Sequence, residues 1–431
     1  MCCASAKAAE DEDERNASDY TTASASAASS EGTAVVHATP HSELSERQQS
    51  NASGHSNGDA AVDDVDALES EDEDEDESDP IEVTNGDAES FNAISKALKL
   101  LRSLGNVNLL RVQFPVRHMK PCSFLESMAP RNAVFCRVAS RMLSSNGPLN
   151  TFLTFVGARV AALQPGGPAI LPKPINPVQS ECVRQRFLSH SMHSEQLLEQ
   201  VSHQPPVTAT WSRVGSGSER TLEYSSTLQA KPLASGPGVR VSLNGSHHLD
   251  VEGEQQYHAS YPDLHMQFVP VPKTAYVGAF ALWSDDGYQA VLHFKGHSNS
   301  ILRRDSGVWG PEGTKLGELA GSCAYAVYTD LRSNAQTVLY DAAKEPESEL
   351  SLTRVPSGGA LDSEEVWADV KRHLHRKEFN LASAAKRAVE QKEREIRRSG
   401  EGSRRQPVFF EKRGSCWIPK GSSLWPCEAQ S

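Results

Sequence analysis

The chain has 431 residues, enough for one large domain or two to three small ones. Its net charge of −13 is unevenly distributed, because residues 1–90 carry 25 acidic and 3 basic side chains and the remainder carries 31 acidic and 40 basic ones. A basic body suits an anionic membrane surface or nucleic acid. No DNA- or RNA-binding motif accompanies the basic clusters, so we expect no nucleic-acid partner.

The eight cysteines are not spaced as metal ligands. None forms a Cys-x-x-Cys pair, so we predict no metal site, and nothing in the sequence calls for a cofactor. We expect reduced cysteines in the body and a cytoplasmic protein, since no signal peptide is evident. No apolar run approaches the ~18 residues of a membrane span, so contact with membranes would be peripheral. Cys2 and Cys3 are candidates for palmitoylation, although two cysteines without a role are the commoner case.

Residues 1–89 are rich in Ser, Ala, Asp and Glu and poor in apolar side chains. Such a segment cannot bury enough surface to offset the entropy of ordering, so we predict a disordered acidic tail. Within it, residues 19–23 follow an acidic run and loosely resemble a docking motif for endoplasmic-reticulum tethers, with Thr22 as the residue to be phosphorylated. Such matches also arise by chance in acidic tails, so the tether is only a candidate partner.

A basic amphipathic helix is predicted over residues 91–104. Its apolar side chains recur at helical spacing, with lysines on the other face: Phe91, Ile94, Leu98, Leu101 and Leu104 against Lys96 and Lys99. Ser90 can cap its start and Gly105 can end it. The helix is either ordinary core packed on the body or a movable lid that meets a membrane surface, and the spacing alone does not separate the two.

The segment from Lys173 to Glu181 is predicted to be extended and turning, because two prolines flank Asn176. Before it, residues 109–116 are strand-like. Residues 127–163 are mixed helical and carry three arginines among apolar residues: Arg137, Arg141 and Arg159.

Residues 199–206 read Glu-Gln-Val-Ser-His-Gln-Pro-Pro. A double proline excludes a helix interior or a central strand. The next five residues alternate and are rich in β-branched side chains, which predicts a strand. His203 and Gln204 are therefore expected on a turn at the mouth of a sheet, where both can donate hydrogen bonds to an anion.

The stretch from Trp211 to about Leu352 consists of short alternating runs broken by turn residues, which predicts a barrel or a sandwich. The clearest strands are residues 239–243, 275–283, 288–295 and 325–329. The low-complexity residues 212–238 are predicted to form a mobile loop, and residues 247–248 to lie in a Gly/Ser-rich loop.

Two helices are predicted near the C-terminus. Asp362 or Ser363 can cap the first, and Asn380 can cap a second that runs to about Arg398. On the second helix, Lys386, Glu390 and Arg394 form one stripe at i, i+4 and i+8. A carboxylate between two cations can hold them side by side as an anion site, but a solvated face with weak ion pairs is the commoner reading of such spacing.

Three of these segments together resemble the oxysterol-binding protein family. Residues 199–206 are similar to its Glu-Gln-Val-Ser-His-His-Pro-Pro signature, with Gln204 as the one departure. Residues 173–181 resemble its Lys-Pro-x-Asn-Pro-x-Leu-Gly-Glu motif, with Gln179-Ser180 in place of Leu-Gly, and the C-terminal stripe resembles its Lys-x-x-x-Glu-x-x-x-Arg. The motifs occur in family order, and the resemblance covers roughly residues 90–420.

The resemblance implies an α+β, mainly β fold: an incomplete antiparallel β-barrel around a lipid tunnel, with an N-terminal lid and a C-terminal helical segment, over residues 90–425. It implies that the headgroup of phosphatidylinositol 4-phosphate is bound by Lys173, Asn176, His203, Gln204, Lys386, Glu390 and Arg394. The lid would be the predicted helix with Phe91, Ile94, Leu98 and Leu101. Gln204 still donates a hydrogen bond but cannot become cationic, so we expect weakened rather than abolished headgroup binding.

The implied function is that of a cytosolic lipid-transfer protein, peripheral on intracellular membranes. It would carry a sterol or other single lipid and phosphatidylinositol 4-phosphate. The alternative is a phosphoinositide-sensing adaptor that does not transfer lipid, which the altered Gln204 and Gln179-Ser180 favour. An enzyme is not expected, because His203 has no sequence-evident nucleophile or metal partner.

Overall fold

The computed structural model describes residues 115–163, 172–189, 192–216, 220–235, 238–253, 255–267, 273–296, 299–345, 350–356, 361–399, 405–414 and 416–420. The predicted acidic tail and the predicted lid helix lie outside these residues, and both stay predictions. The described α-helices are α1 (Phe124–Ala139), α2 (Pro148–Ala161), α3 (Ser363–Val366), α4 (Ala368–His375) and α5 (Phe379–Arg398).

Strands make up most of the described chain. They are β1 (Met119–Ser123), β2 (Lys173–Ile175), β3 (Glu181–Ser189), β4 (Met192–His203), β5 (Pro206–Ser216), β6 (Thr221–Ser235), β7 (Gly238–Val251), β8 (Gln255–Ala259), β9 (Asp263–Gln267), β10 (Lys273–Ser284), β11 (Gln289–Lys295), β12 (Ser300–Ile301), β13 (Gly307–Trp309), β14 (Lys315–Ser322), β15 (Tyr325–Asp330), β16 (Gln336–Asp341), β17 (Ser351–Arg354), β18 (Leu361–Asp362), β19 (Phe410–Arg413) and β20 (Cys416–Pro419).

Sixteen of these strands form one sheet, in the order β16-β15-β14-β12-β11-β10-β8-β7-β6-β5-β4-β3-β17, with β9, β13 and β18 pairing beside this path. Nearly all pairs are antiparallel, and only β18 runs parallel to its neighbour β3. The two end strands, β16 and β17, are not paired with each other, so the sheet is large and open. This confirms the predicted mainly β architecture of an incomplete barrel. The pairs β1-β2 and β19-β20 form two small separate sheets.

The helices α1 and α2 pack against both halves of the large sheet. α1 contacts β3, β4 and β5, whereas α2 contacts β8, β15 and β16. These strands lie far apart in the sheet order, so the sheet must curve around the helix pair. The core between them is built on large side chains that are almost fully buried: Phe135, Phe152, Phe155, Phe187 and Phe280.

Local sequence explains where these two helices begin. Ser123 and Glu126 form a reciprocal capping box at the start of α1, which satisfies two backbone N–H groups that the helix leaves free. Pro148 occupies the first turn of α2, where a missing N–H costs nothing. The predicted helical region is therefore confirmed as two helices.

The prediction of a mobile loop over residues 212–238 is wrong. β5 continues to Ser216, and β6 pairs with β7 over the whole length from Leu222↔Val251 to Ser235↔Gly238. Ser and Thr made this stretch look like a loop, but β6 is paired on both sides, and its small side chains are buried beside Tyr224: Ser225, Ser226 and Thr227. For the same reason His247 and His248 lie on β7 and not in a loop.

The C-terminal helices form a second core next to β2. Trp367, Val370 and Leu374 pack against Ile175 and Val178. Asp362 caps α3 as predicted by accepting a hydrogen bond from the Glu364 N–H at 3.0 Å. α5 begins at Phe379 with Glu378 in the N-cap position, so the predicted cap at Asn380 is wrong by two residues.

Four cysteines in the described part of the chain are free, as predicted: Cys122, Cys136, Cys182 and Cys323. Burial raises the pKa of the Cys136, Cys182 and Cys323 thiols to about 12. These thiols are therefore unreactive and pack as small apolar side chains. Cys416 is disulfide-bonded, so the expectation of reduced cysteines is wrong for this residue. No helix in the described ranges is long and apolar enough to cross a bilayer.

Candidate anion-binding site

The octapeptide that the sequence singled out forms the tip of the β4–β5 hairpin. β4 ends at His203 and β5 begins at Pro206, and these two residues face each other across a turn made by Gln204 and Pro205. The side chains of His203 and Gln204 are both exposed at this tip. The predicted turn at the end of a sheet is confirmed.

The first half of the octapeptide has a structural task. The buried carboxylate of Glu199 accepts hydrogen bonds from the backbone N–H groups of Val408 at 2.6 Å and Phe409 at 3.0 Å. Burial raises the pKa of Glu199, and these hydrogen bonds oppose the rise. Gln200 accepts a hydrogen bond from the Thr208 hydroxyl at 2.9 Å on the facing strand. The segment therefore fastens the C-terminal residues to the sheet and leaves only its tip available to a ligand.

The second motif supplies a lysine that lies near the C-terminal helix α5. Lys173 begins β2, which runs parallel to β1, and its Nζ donates to Asn176 Oδ1 at 2.8 Å. The motif ends at Glu181, which is fully buried and joins three elements. Glu181 accepts hydrogen bonds from the Ser363 hydroxyl at 2.7 Å and the Trp367 indole at 2.8 Å. This acid fixes α3 and α4 against β3, so its role is positional.

Ser180, which stands where the family motif has glycine, adopts a glycine-like backbone. Its φ is 63°, in the left-handed region that costs an L-residue about 1–2 kcal/mol. Two hydrogen bonds hold it there: its N–H donates to the Gln200 carbonyl at 2.8 Å, and its hydroxyl donates to the Gln406 carbonyl at 3.1 Å. The shape of the turn thus survives the loss of glycine.

The stripe predicted on the C-terminal helix lies against these two motifs. Lys386 is only 7% exposed and pairs with the Glu390 carboxylate. The second carboxylate oxygen of Glu390, Oε2, is buried and has no hydrogen-bond partner among the described residues. Burial and the positive charge of Lys386 lower the pKa of Lys173 to about 8, while Glu390 opposes this. Lys173, Lys386 and Glu390 therefore form one electrostatic cluster from two separate segments.

The tip of the β4–β5 hairpin lies near α5 as well, on the C-terminal side of Lys386. Burial lowers the pKa of His203, Arg397 lowers it further, and Glu393 and Glu390 oppose both effects. His203 keeps exposed surface at the tip, but its ring is crowded on the side that faces α5. Glu393 already forms an ion pair with Arg405, with a distance of 3.1 Å from Oε1 to Nη2.

Arg397 was missed in the sequence, although the signal was present. It lies eleven residues after Lys386 and so extends the same helical stripe. Arg394, the third predicted member of the stripe, is half-buried on α5. Gln204 is exposed beside His203. The structure thus brings Lys173, Asn176, Lys386 and Glu390 together and sets His203 next to the far end of the stripe.

Among the described residues, Lys173 and Lys386 lie around one carboxylate, Glu390. At the His203 end of the helix, Arg397 acts on the histidine together with Glu393, which is already paired with Arg405. Such an arrangement suits a multiply charged anion with several acceptor oxygens, such as a phosphate. Within the described ranges, no three His, Cys, Asp or Glu side chains converge as metal ligands.

Comparison with known sequences agrees with the motifs. A sequence model of the family described as Oxysterol-binding protein matches residues 96–429. Oxysterol-binding protein-related protein 4A of Arabidopsis thaliana is 24% identical over 305 residues, which cover 65% of this chain and 73% of that protein. Protein KES1 of Mycosarcoma maydis is 25% identical over 244 residues, which cover 52% of this chain and 62% of that protein.

Solved structures share the fold. The Osh3 ORD from Saccharomyces cerevisiae, solved in complex with PI(4)P, superposes with a TM-score of 0.57 at 18% identity, over 75% of this chain and 89% of that chain. The Osh1 ORD domain in complex with cholesterol superposes with a TM-score of 0.54 at 17% identity, over 75% and 86% of the two chains. Together with the match to the family over most of its length, these findings establish that the chain belongs to the oxysterol-binding protein family.

Proposed function

We propose that this chain is a lipid-transfer protein that binds the phosphate of phosphatidylinositol 4-phosphate at the Lys173–Lys386–Glu390 cluster. The observation that carries the proposal is that Lys386, which is buried, and Lys173, which is half-buried, lie around the single carboxylate of Glu390. A phosphomonoester carries about −1.5 to −2 charges near pH 7 and supplies three acceptor oxygens, which would compensate both lysines. The related Osh3 domain was solved with PI(4)P, which supports the same ligand here.

The second half of the proposal is a single lipid, a sterol or another, held inside the curved sheet. The structure of the related Osh1 domain with cholesterol supports a sterol as the carried molecule. Burying an apolar lipid contributes about 0.8 kcal/mol for each CH₂ group, so an apolar interior can compete with a bilayer. The lid helix over residues 91–104, the acidic tail over 1–89 and the lipid-binding domain over 90–425 belong to this proposal as well.

We assign the membrane-contacting surface of the protein to the start of α5. This surface would meet the cytoplasmic face of intracellular membranes. Phe379 and Leu381 are exposed by 38% and 53%, and the exposed Arg376 and Lys377 precede them. At 1.5 Å per residue, Leu381 lies only about 8 Å along the helix axis from Lys386. An apolar tip with basic neighbours suits an anionic bilayer, and it would bring the phosphate site to the lipid surface.

The adaptor that senses a phosphoinositide without moving lipid is the second candidate, and Gln204 favours it. Its amide stands where the family motif has a histidine, which can carry a positive charge. The site should therefore bind the headgroup less tightly than a site with the family motif. The glycine-like shape of Ser180 argues against a site that has collapsed. Neither candidate calls for a catalytic step, and we propose a binding protein rather than an enzyme.

Extraction of fluorescent phosphatidylinositol 4-phosphate from liposomes by the full chain tests the proposal. Lys386→Ala should abolish most of the extraction, since it removes a buried cation of the site. Lys392→Ala is the matched control, because Lys392 is exposed on the same helix and should leave extraction unchanged. Gln204→His should raise extraction by about two- to tenfold, the difference between a neutral and a charged hydrogen bond. Binding to the liposomes without extraction, in all variants, would favour the adaptor.

A further inference from the structure

Arg159 is a buried cation for which the described part of the chain supplies no counter-charge. It lies in the last turn of α2, is 3% exposed, and sits within the main apolar core. One of its terminal nitrogens donates to the Tyr224 hydroxyl at 3.3 Å, and the other donates to His247 Nε2 at 2.8 Å. Its Nε is buried and has no hydrogen-bond partner among the described residues.

The arginines of α1 are compensated in ways that Arg159 is not. Arg131 donates to the Leu163 carbonyl at 2.5 Å and also to the Ala161 carbonyl, where α2 ends and the helix dipole is negative. Arg137 forms an ion pair with Glu345 at 2.9 Å. The partners of Arg159 in the described part of the chain are all neutral and include two aromatic rings. Its guanidinium carbon lies 5.0 Å from the Phe135 ring centroid and 5.8 Å from that of Tyr224.

The neighbours of Arg159 do not neutralise its charge. An arginine can only donate, so His247 Nε2 must accept, and the ring proton must sit on Nδ1, from which it donates to the Tyr224 hydroxyl at 2.7 Å. Burial lowers the pKa of His247 well below its ordinary value, so this histidine is neutral. Burial also raises the pKa of Tyr224 and Tyr261, so both phenols stay protonated. The cluster keeps a charge of one.

No carboxylate of the described ranges takes part in this cluster. Among the described residues, the charges that act on His247, Tyr224 and Tyr261 come from Arg159, from His248, from Cys136 and from one another, and none comes from an acid. An ion taken out of water needs an opposite charge or a full set of hydrogen bonds, and cation–π contacts with two rings replace only part of this. The charge of Arg159 is thus only partly compensated by the described residues.

We propose that Arg159, together with Tyr224 and His247, binds an anionic oxygen group, a carboxylate or a sulfate, at the buried end of an otherwise apolar ligand. The inference rests on the proposed lipid-binding function and narrows the carried molecule to an amphipath whose inner end is acidic. A long-chain fatty acid and an acidic sterol derivative share this chemistry. A neutral sterol offers one hydroxyl and leaves the arginine charge unbalanced.

Competition binding with the full chain tests the inference, with oleic acid against oleyl alcohol and cholesterol sulfate against cholesterol as probes. Each anion should bind about tenfold or more tightly than its neutral counterpart, as expected for charged hydrogen bonds. Arg159→Met should remove this preference and leave the neutral probes within about twofold, whereas Arg159→Lys should retain part of it. Arg186→Met is the control, because the Arg186 side chain is 61% exposed and should change nothing.

Thermal unfolding gives a second readout of the same variants. Oleic acid should raise the melting temperature of the wild type and not that of Arg159→Met, because only a ligand bound to the folded state stabilises it. Equal affinity of the wild type for the anionic and neutral probes would overturn the inference, whether or not the variants fold. If the chain extracts phosphatidylinositol 4-phosphate yet shows no anion preference, this inference alone fails. If it binds none of these lipids, the proposed function fails with it.

Discussion

Lys173 and Lys386 come from segments more than two hundred residues apart and meet around one carboxylate, Glu390. Lys386 takes one oxygen of this carboxylate, and the other oxygen stays buried without a hydrogen bond among the described residues. Lys173 is half-buried beside the positive charge of Lys386. This relationship explains why its pKa falls to about 8 and gives the site a measurable pH dependence.

Headgroup binding should weaken as the pH rises from 7 to 9. The phosphate is already dianionic in this range, since its second pKa is about 6, whereas Lys173 of the empty site loses its proton near pH 8. We expect a loss of about tenfold in affinity, corresponding to one charged hydrogen bond. Binding to vesicles with phosphatidylinositol 4-phosphate at several pH values measures this. Lys173→Arg, which stays protonated, should flatten the curve, and an unchanged slope in this variant would contradict the assignment.

The same shift predicts a change in stability of definite sign. The folded-state pKa of Lys173 lies below the ordinary lysine value of 10.5, so the unfolded chain binds more protons between pH 8 and 10.5. The contribution of Lys173 to the free energy of unfolding should accordingly rise through this window. Urea unfolding of the wild type and of Lys173→Met compares this contribution directly, and a difference that does not change with pH would refute it.

Replacing Ser180 by glycine should destabilise the fold less than replacing it by alanine. Both changes remove the hydroxyl that donates to Gln406, but only glycine relieves the strain of a φ of 63°. Ser180→Gly should therefore be more stable than Ser180→Ala by about 1 kcal/mol in urea unfolding. At the control position Ser194, buried in the extended strand β4, the order should reverse, because glycine weakens a strand. The same order at both positions would exclude backbone strain as the cause.

Replacing Phe379 and Leu381 together by serine should reduce binding to vesicles that contain phosphatidylserine. Each exposed apolar side chain contributes at most about 1.5–3 kcal/mol on burial, so a partial insertion of two predicts a loss of about tenfold or more. The binding should also weaken with salt, because Arg376 and Lys377 act through screened charge. Val338→Ser is the matched control, since Val338 is 48% exposed on the edge strand β16. An equal loss in the control would remove the assignment of a membrane surface to α5.

Much of the fold could be predicted because its elements have strong local signals. The Gln204-Pro205-Pro206 run required a turn, and the apolar spacing of Trp367, Val370 and Leu374 required helix. The long hairpin of β6 and β7 could not be predicted in this way. Its serines and glycines are weak strand formers, and pairing with β5 on one side and with β8 and β9 on the other holds them extended.

Contacts between residues of the same motif could be predicted from the sequence. Contacts between residues that are far apart in the chain were harder to predict. The spacing of Lys386 and Glu390 predicted their ion pair, and the family resemblance predicted that Lys173 lies with them. Spacing and composition alone do not show this approach, and neither they nor the resemblance predicted that His203 lies near Arg397. The positional roles of Glu199 and Glu181 were also hidden. Glu199 begins one motif and Glu181 ends the other, and from the sequence either acid could contact a ligand. In the structure, Glu199 binds backbone N–H groups and Glu181 binds side chains of α3 and α4.

The most direct test of the account is exchange between two populations of liposomes. Donor liposomes carry a fluorescent sterol, acceptor liposomes carry phosphatidylinositol 4-phosphate, and the rate of sterol movement is recorded with the full chain and with Lys386→Ala. The account predicts that the phosphoinositide accelerates sterol movement by the wild type and that Lys386→Ala loses this acceleration while keeping the basal rate. Sterol movement that does not respond to the phosphoinositide, or that responds equally in Lys386→Ala, would contradict the claim that this cluster binds the headgroup during transfer.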